Sequence, residues 1–195
     1  MNQPLKIGIT GGIGSGKTHV AEVFAKLGAP IYFADERAKW LMNNNKNIIK
    51  KVVRLFGANA YENKHLNRTL IASSVFKNKS LLSKLNSIVH PEVYRDFEVW
   101  ANAQKTPYVL KEAALLFESG SYKELDAILT IDAPLETRIT RASNRDKQSR
   151  KEIESRIKNQ LSNEIKVNAS DFVINNDGCT PILPQILLLH MLWSK

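Results

Sequence analysis

The sequence has little of several things, and each shortage removes a class of explanation. It holds one cysteine, Cys179, so it cannot close an intramolecular disulfide, and a reducing cytoplasm is the default expectation. The first residues, MNQPLKIGIT, carry no long apolar stretch behind a basic one, so no secretory signal is expected. Near the other end, ILPQILLLHMLW falls short of the roughly 20 residues of a membrane span and is interrupted by Pro184 and Gln185. It reads as a terminal helix docked on a core, with no membrane partner. Histidines are few, and His19, His65 and His190 have no partners at metal-ligand spacing, which makes them structural or surface residues. No internal repeat and no low-complexity segment is visible, although NNNKN at 43–47 reads as a polar loop. Acids are also scarce, 19 against 28 Lys and Arg, and the resulting charge of +9 calls for an anionic partner. Charge alone does not separate nucleic acid, phosphate-bearing small molecules and acidic membrane surfaces.

What is present is a chain of 195 residues, 43% hydrophobic, enough for one sizeable core with an appended subdomain. LKIGIT is a short apolar run that leads into glycines. HVAEVFAKLG then spaces Val20, Val23, Phe24 and Leu27 for a helix that stops at Gly28. PIYFAD predicts a second strand. Residues 43–104 read as helical almost throughout, broken near Gly57, around Asn78 and at His90-Pro91, without a convincing strand. YVLKEAALLF, DAILTID and DFVINN supply three more strand-like runs. Helix candidates PLETRITRAS and KEIESRIKNQL follow the first two, with Pro134 in a first helical turn. Strands alternating with helices predict an α/β fold with a parallel sheet covered on both faces.

Four of the nine glycines lie between positions 11 and 16. From Gly11 the order is Gly-x-x-x-x-Gly-Lys-Thr, the phosphate-binding P-loop pattern, set between a predicted strand and a predicted helix as that pattern requires. Backbone N–H groups of such a loop point at phosphate oxygens, and the helix N-terminus adds partial positive charge. Lys17 would then reach the β and γ phosphates of a nucleoside triphosphate, and the Thr18 hydroxyl would ligate Mg²⁺. A dinucleotide fingerprint fails, because Gly12-x-Gly14 would need a third glycine where Lys17 stands.

A P-loop alone does not distinguish kinase, GTPase and motor ATPase. No guanine-reading Asn/Thr-Lys-x-Asp motif is visible, since INND at 174–177 lacks the lysine. Glu112 and Asp132 are candidates for an acid at a strand end. The segment RITRASNRDKQSRKEIESR, with Arg138, Arg141, Arg145, Arg150 and Arg156, reads either as a solvated face or as a cationic lid over a phosphoryl group. Asp35, just past the second strand, suits an acid that takes or orients the proton of an acceptor hydroxyl, or alternatively a helix N-cap for ERAKWLM.

The segments ITGGIGSGKT, ADERAK, LNRTLIASSVF, LNSIVHPEV, LLFESG, ETRITRASNRD and VINNDG, spread from residue 9 to residue 178, resemble the dephospho-coenzyme A kinase family. The resemblance implies a P-loop three-layer α/β fold like that of nucleoside monophosphate kinases. Its core, a five-stranded parallel sheet, would span 1–42 and 105–195 with a lid at about 141–152, and a helical CoA-binding domain would span 43–104. It implies transfer of the ATP γ-phosphate to the ribose 3′-hydroxyl of dephospho-CoA, with Lys17, Asp35 and Arg141 catalytic. Gly12, Gly14, Ser15, Gly16, Lys17, Thr18, His19 and Arg145 would bind ATP, Thr18 would hold Mg²⁺, and Asp35, Arg68 and His90 would face the acceptor. His90-Pro91 also reads as a simple turn between two helices. The partners are then ATP and dephospho-CoA, with no nucleic acid, and the oligomeric state stays open. Phe33 and Lys39 depart from the family's usual Asp and Arg, and Ala114 from its usual Pro. Glu112 is a candidate for supporting the metal indirectly. Another small-molecule P-loop kinase, or a basic nucleic-acid binder, are the alternative readings.

Overall fold

A computed structural model describes residues 3–76 and 78–195. In chain order the first half holds β1 (Leu5–Thr10), α1 (Lys17–Lys26), β2 (Ile31–Phe33), α2 (Ala34–Asn44), α3 (Lys46–Phe56), β3 (Tyr61–Glu62), β4 (His65–Leu66), α4 (Arg68–Phe76) and α5 (Lys79–Asn102). There follow β5 (Tyr108–Glu112), β6 (Ala127–Asp132), α6 (Leu135–Asp146), α7 (Arg150–Ile157), α8 (Asn163–Asn168), β7 (Phe172–Asn175) and α9 (Ile182–Trp193). Two compact units emerge, Met1–Phe33 with Ala101–Lys195, and Ala34–Trp100.

The first unit is built on a five-stranded sheet in the order β2-β5-β1-β6-β7, with every described pairing parallel. Strand β1 is central, its Ile7 opposite Leu110 of β5 on one side and Ala127 of β6 on the other. Ile7 and Ile9 alternate onto the face covered by α1 and α9, where they join Val20, Phe24, Leu110, Leu129, Ile131, Ile174, Ile186 and Leu189. Gly8 points to the other face, where a β carbon would stand 2.6 Å from Leu125 Cδ1 and 2.7 Å from Leu116 Cδ2, so any side chain there would require both leucines to shift. With both faces covered, residues 7–10 are buried without interruption, as expected of parallel strands.

Helix α9 is docked by aromatic packing. The Trp193 indole stacks on Phe24 at 5.6 Å between centroids and meets Tyr108 and Phe172 edge-on at 5.5 and 5.3 Å. His190 Nδ1 shares a 2.6 Å hydrogen bond with Tyr108 Oη, and burial pushes that phenol up to about 12. His190 is therefore a structural residue, in line with its reading from sequence.

In the second unit, Asn45 caps α3 by accepting from the N–H groups of Asn47 (2.9 Å) and Ile48 (3.2 Å). The stretch expected to be a polar loop is thus one residue long between α2 and α3. Arg37 binds both oxygens of Asp96, at 2.7 and 2.9 Å, and clamps α2 to α5, its guanidinium lying over Trp40. Three expectations are corrected here. The middle of the chain does contain strands, a minimal β3–β4 hairpin whose turn residues Asn63 and Lys64 both take positive φ, the geometry two-residue hairpin turns favour. The expected break at His90-Pro91 is absent, because α5 runs through it with Pro91 inside the helix. Helix α2 also begins at Ala34, so Asp35 is a first-turn residue and not the cap. The unit accordingly starts at Ala34, where the sequence reading draws the boundary after Met42; α2 packs on α3 and β4.

Helices α6 and α7 pack on each other through Ile139, Ala142, Ile153 and Ile157, and Asp146 pins the joint by accepting from Arg145 and from Arg156. Arg145 foremost, then Arg156, holds the Asp146 carboxyl at about 2, against an ordinary 3.8. The contribution of a carboxyl depressed in this way is complete above its unfolded value and is lost as pH falls through the folded one. The joint should therefore keep its ion pairs down to about pH 4 and lose them toward pH 2. A carboxyl ¹³C titration of Asp146 with a midpoint near the ordinary value would contradict this. Trp193→Ala should cost about 3–5 kcal/mol in urea unfolding of the sheet unit. Trp193→Phe should cost far less, because the indole N–H is buried without a partner among the described residues.

Candidate active site

The carboxyl end of a central parallel strand is where open α/β sheets bind ligands, and the loop after β1 lies there. Its shape depends on backbone conformations that side chains resist. Gly14 has φ +77°, and a β carbon on it would come 2.1 Å from the Arg138 carbonyl oxygen. Gly16 has φ +94° and forms the N-cap of α1, where a β carbon would come 2.3 Å from Asn176 Nδ2. The Gly12 carbonyl accepts from Ser15 N at 3.1 Å and from Lys17 Nζ at 3.2 Å, so the loop folds over its own lysine, which is buried.

No side chain caps the start of α1 and no acid lies in its first turn, which leaves the positive end of the helix directed at whatever fills the adjoining space. That space is a cleft of about 230 Å³ lined by Gly14, Gly16, Lys17, Thr18, His19, Arg141 and Arg145. Three cations and a helix N-terminus around one small volume make it suited to a polyphosphate. Arg141 and Arg145 lie one turn apart on α6. Arg141 donates to the Asn176 carbonyl at 2.9 Å, and Asn176 Nδ2 donates to the Ser15 carbonyl at 2.8 Å, tying the loop after β7 to the glycine loop.

The five arginines singled out in the sequence have separate employments. Only Arg141 and Arg145 line this cleft. Arg138 is buried beneath the loop, its Nε donating to the Ala133 carbonyl at 3.0 Å; burial lowers its pKa against the opposing charge of Asp132. Arg150 forks onto Glu136 and also binds Glu154, while Arg156 binds Asp146 and Gln148. Asp132, at the end of β6, accepts from Asn163 Nδ2, and Glu112 ends β5 in a buried position. In the NNDG turn, Asp177 accepts from Thr180 N and Cys179 N, contacts that hold its carboxyl at about 2, the Thr180 amide foremost.

Gly12 and Ser15 are buried in the loop. Asp35, Arg68 and His90 belong to the other unit, in the first turn of α2, at the first residue of α4 and within α5, each exposed. Sequence reasoning missed Gln160 and Asn163, amides that bond the loop backbone, whereas Asn176, a third such amide, lies in the VINNDG segment quoted above. The only signal of Gln160 and Asn163 is a carboxamide in a stretch with no obvious task, which spacing rules do not flag.

Residues 5–181 match the family model described as dephospho-CoA kinase. A dephospho-CoA kinase of Bacteroides fragilis is 40% identical over 193 residues, covering 98% of this chain and 94% of the relative. One from Porphyromonas gingivalis is 35% identical, with 94% and 91% covered. A crystal structure of a Thermus thermophilus protein superimposes with a TM-score of 0.86 at 33% identity over 98% of this chain and 97% of the other. Matched in sequence over nearly its whole length, and built around a strand, glycine loop and helix that fit a polyphosphate, the chain belongs to the dephospho-CoA kinase family of ATP-dependent kinases.

Proposed function

We propose that the chain binds ATP in the glycine-loop cleft and transfers its γ-phosphoryl group to the ribose 3′-hydroxyl of dephospho-CoA, in the cytoplasm. The observation that carries this reading is the convergence of Lys17, Arg141 and Arg145 with the uncapped start of α1 around one cleft. Phosphoryl transfer spreads charge over the transferred group, so catalysis there is mostly positioning and cationic stabilisation. In this reading the amides from Gly14 to Thr18 receive the phosphates and Lys17 follows the β and γ oxygens. Arg141 and Arg145 meet the charge of the transferred group and keep water from it. The described residues hold no group of three His, Cys, Asp or Glu fit for a metal ion. Mg²⁺ suits such a site, since it is commonly held by phosphate oxygens, water and one or two protein oxygens. Thr18 Oγ1, at the cleft, is the protein oxygen assigned to it. When bound, the ion neutralises charge on the β and γ phosphates.

The helical unit 34–100 is assigned to dephospho-CoA, with Arg68 on its anionic groups and His90 on the acceptor side. Asp35 is assigned to take or orient the proton of the 3′-hydroxyl, which sharpens the attacking oxygen. No helix among the described residues is long and apolar enough to cross a membrane, which is compatible with the cytoplasmic assignment.

ADP release coupled to an indicator reaction should require both ATP and dephospho-CoA. Turnover that prefers AMP, CMP or shikimate as acceptor would overturn the substrate. Asp35→Asn should lower kcat by about 10²–10⁴-fold, the range of general acid–base contributions, with little change in ATP affinity. Near-normal turnover would remove Asp35 from the chemistry.

A further inference from the structure

The two peptide N–H groups at the front of the glycine loop are bonded by side chains that no part of the mechanism above uses. Gly12 N donates to Asn163 Oδ1 at 3.0 Å and Ile13 N donates to Gln160 Oε1 at 2.9 Å. Gln160 comes from the turn between α7 and α8 and Asn163 is the first residue of α8, both about 150 residues further along the chain. Asn163 is held in one orientation by chemistry. Its Nδ2 donates to the Asp132 carboxylate, a group that only accepts, so Oδ1 must face Gly12.

The turn itself is anchored. Leu161 N donates to Glu118 Oε1 at 2.9 Å, and the same oxygen pairs at 2.8 Å with Lys166 Nζ, which also donates to the Ala114 carbonyl. Lys166 is fully buried, which makes this pair costly to break from one side. Ile13 is gripped a second time, its side chain packing with Ile139, Ala142, Ile153 and Ile157 of α6 and α7. The loop and the helices around the two cleft arginines are thus joined by backbone and side chain at one residue.

Gly12 is where these contacts meet the chemistry. Its N–H is held by Asn163 while its C=O receives Lys17 Nζ. We propose that Gln160 and Asn163 are positioning residues for phosphoryl transfer, a strap whose two carboxamide oxygens hold the Gly12 and Ile13 peptides so that Lys17 and the amides behind it stand ready for phosphate. The proposal deepens the reading of the cleft as an ATP site and rests on it. Neither residue touches the reacting atoms; each acts through the loop backbone. Small misplacement of a positioned group lowers the rate more than it lowers stability.

The test compares Gln160→Met, which keeps the side chain's reach but loses the acceptor, with Gln160→Glu, which keeps an acceptor oxygen. Three readouts are needed: ADP affinity by calorimetry without acceptor, kcat and KM for ATP with dephospho-CoA, and the melting temperature. Gln160→Met should lower kcat about tenfold and weaken ADP binding, as expected from one lost hydrogen bond, with a melting temperature close to wild type. Gln160→Glu should recover most of both. Asn163→Ala should behave as Gln160→Met does. Unchanged ADP affinity and kcat in Gln160→Met and Asn163→Ala would overturn the strap, and so would equal losses in Met and Glu variants that merely follow a lowered melting temperature. If wild type binds ADP but ignores dephospho-CoA, the acceptor assignment fails, while the loss and recovery of ADP affinity still decides the strap.

Discussion

The site depends on a constraint on backbone amides. A polyphosphate is gripped by N–H groups only if the peptide units turn inward and stay there, and a loop this rich in glycine pays for that freedom in entropy. The loop after β1 is therefore bonded from several sides. Its own Ser15 amide and Lys17 ammonium close on the Gly12 carbonyl, Asn176 holds the Ser15 carbonyl, and Gln160 and Asn163 hold the front N–H groups. Glycine makes the conformation accessible, and distant side chains make it unique.

The same economy explains the charges. A net charge of +9 suggests a diffuse basic surface, yet most arginines of the α6–α7 region are committed to carboxylates or carbonyls. What distinguishes the cleft is the concentration of Lys17, Arg141, Arg145 and a helix terminus at one point, with the nearby acids each engaged by a partner: Asp132 by Asn163, Asp146 by Arg145 and Arg156, Asp177 by the turn after β7. Asp146 deserves its place in that account, because it holds an arginine that lines the cleft. A phosphate bound there, as proposed, would compete with that carboxylate for the same guanidinium.

Much of this is legible in the sequence. The strand, loop and helix from Leu5 to Lys26 follow from apolar periodicity and glycine spacing, and the parallel sheet follows from alternating elements. Local signals failed where tertiary packing overrides them. Pro91 sits inside α5 because a helix tolerates one missing N–H when its flanks are packed, as Leu85, Val89, Val93 and Phe97 are. The β3–β4 hairpin has no signature in the sequence because two residues per strand leave no alternation to read.

Sequence by itself determined the family and the glycine loop with its Lys17 and Thr18, because these are written in short-range spacing and in residues whose chemistry is narrow. Tertiary structure alone decided which of five arginines line the cleft, that Asp132 orients Asn163, and that Gln160 and Asn163 reach back to Ile13 and Gly12. A carboxamide has no strong preference for any partner, so its task is assigned only when folding brings an unsatisfied peptide N–H within about 3 Å of it.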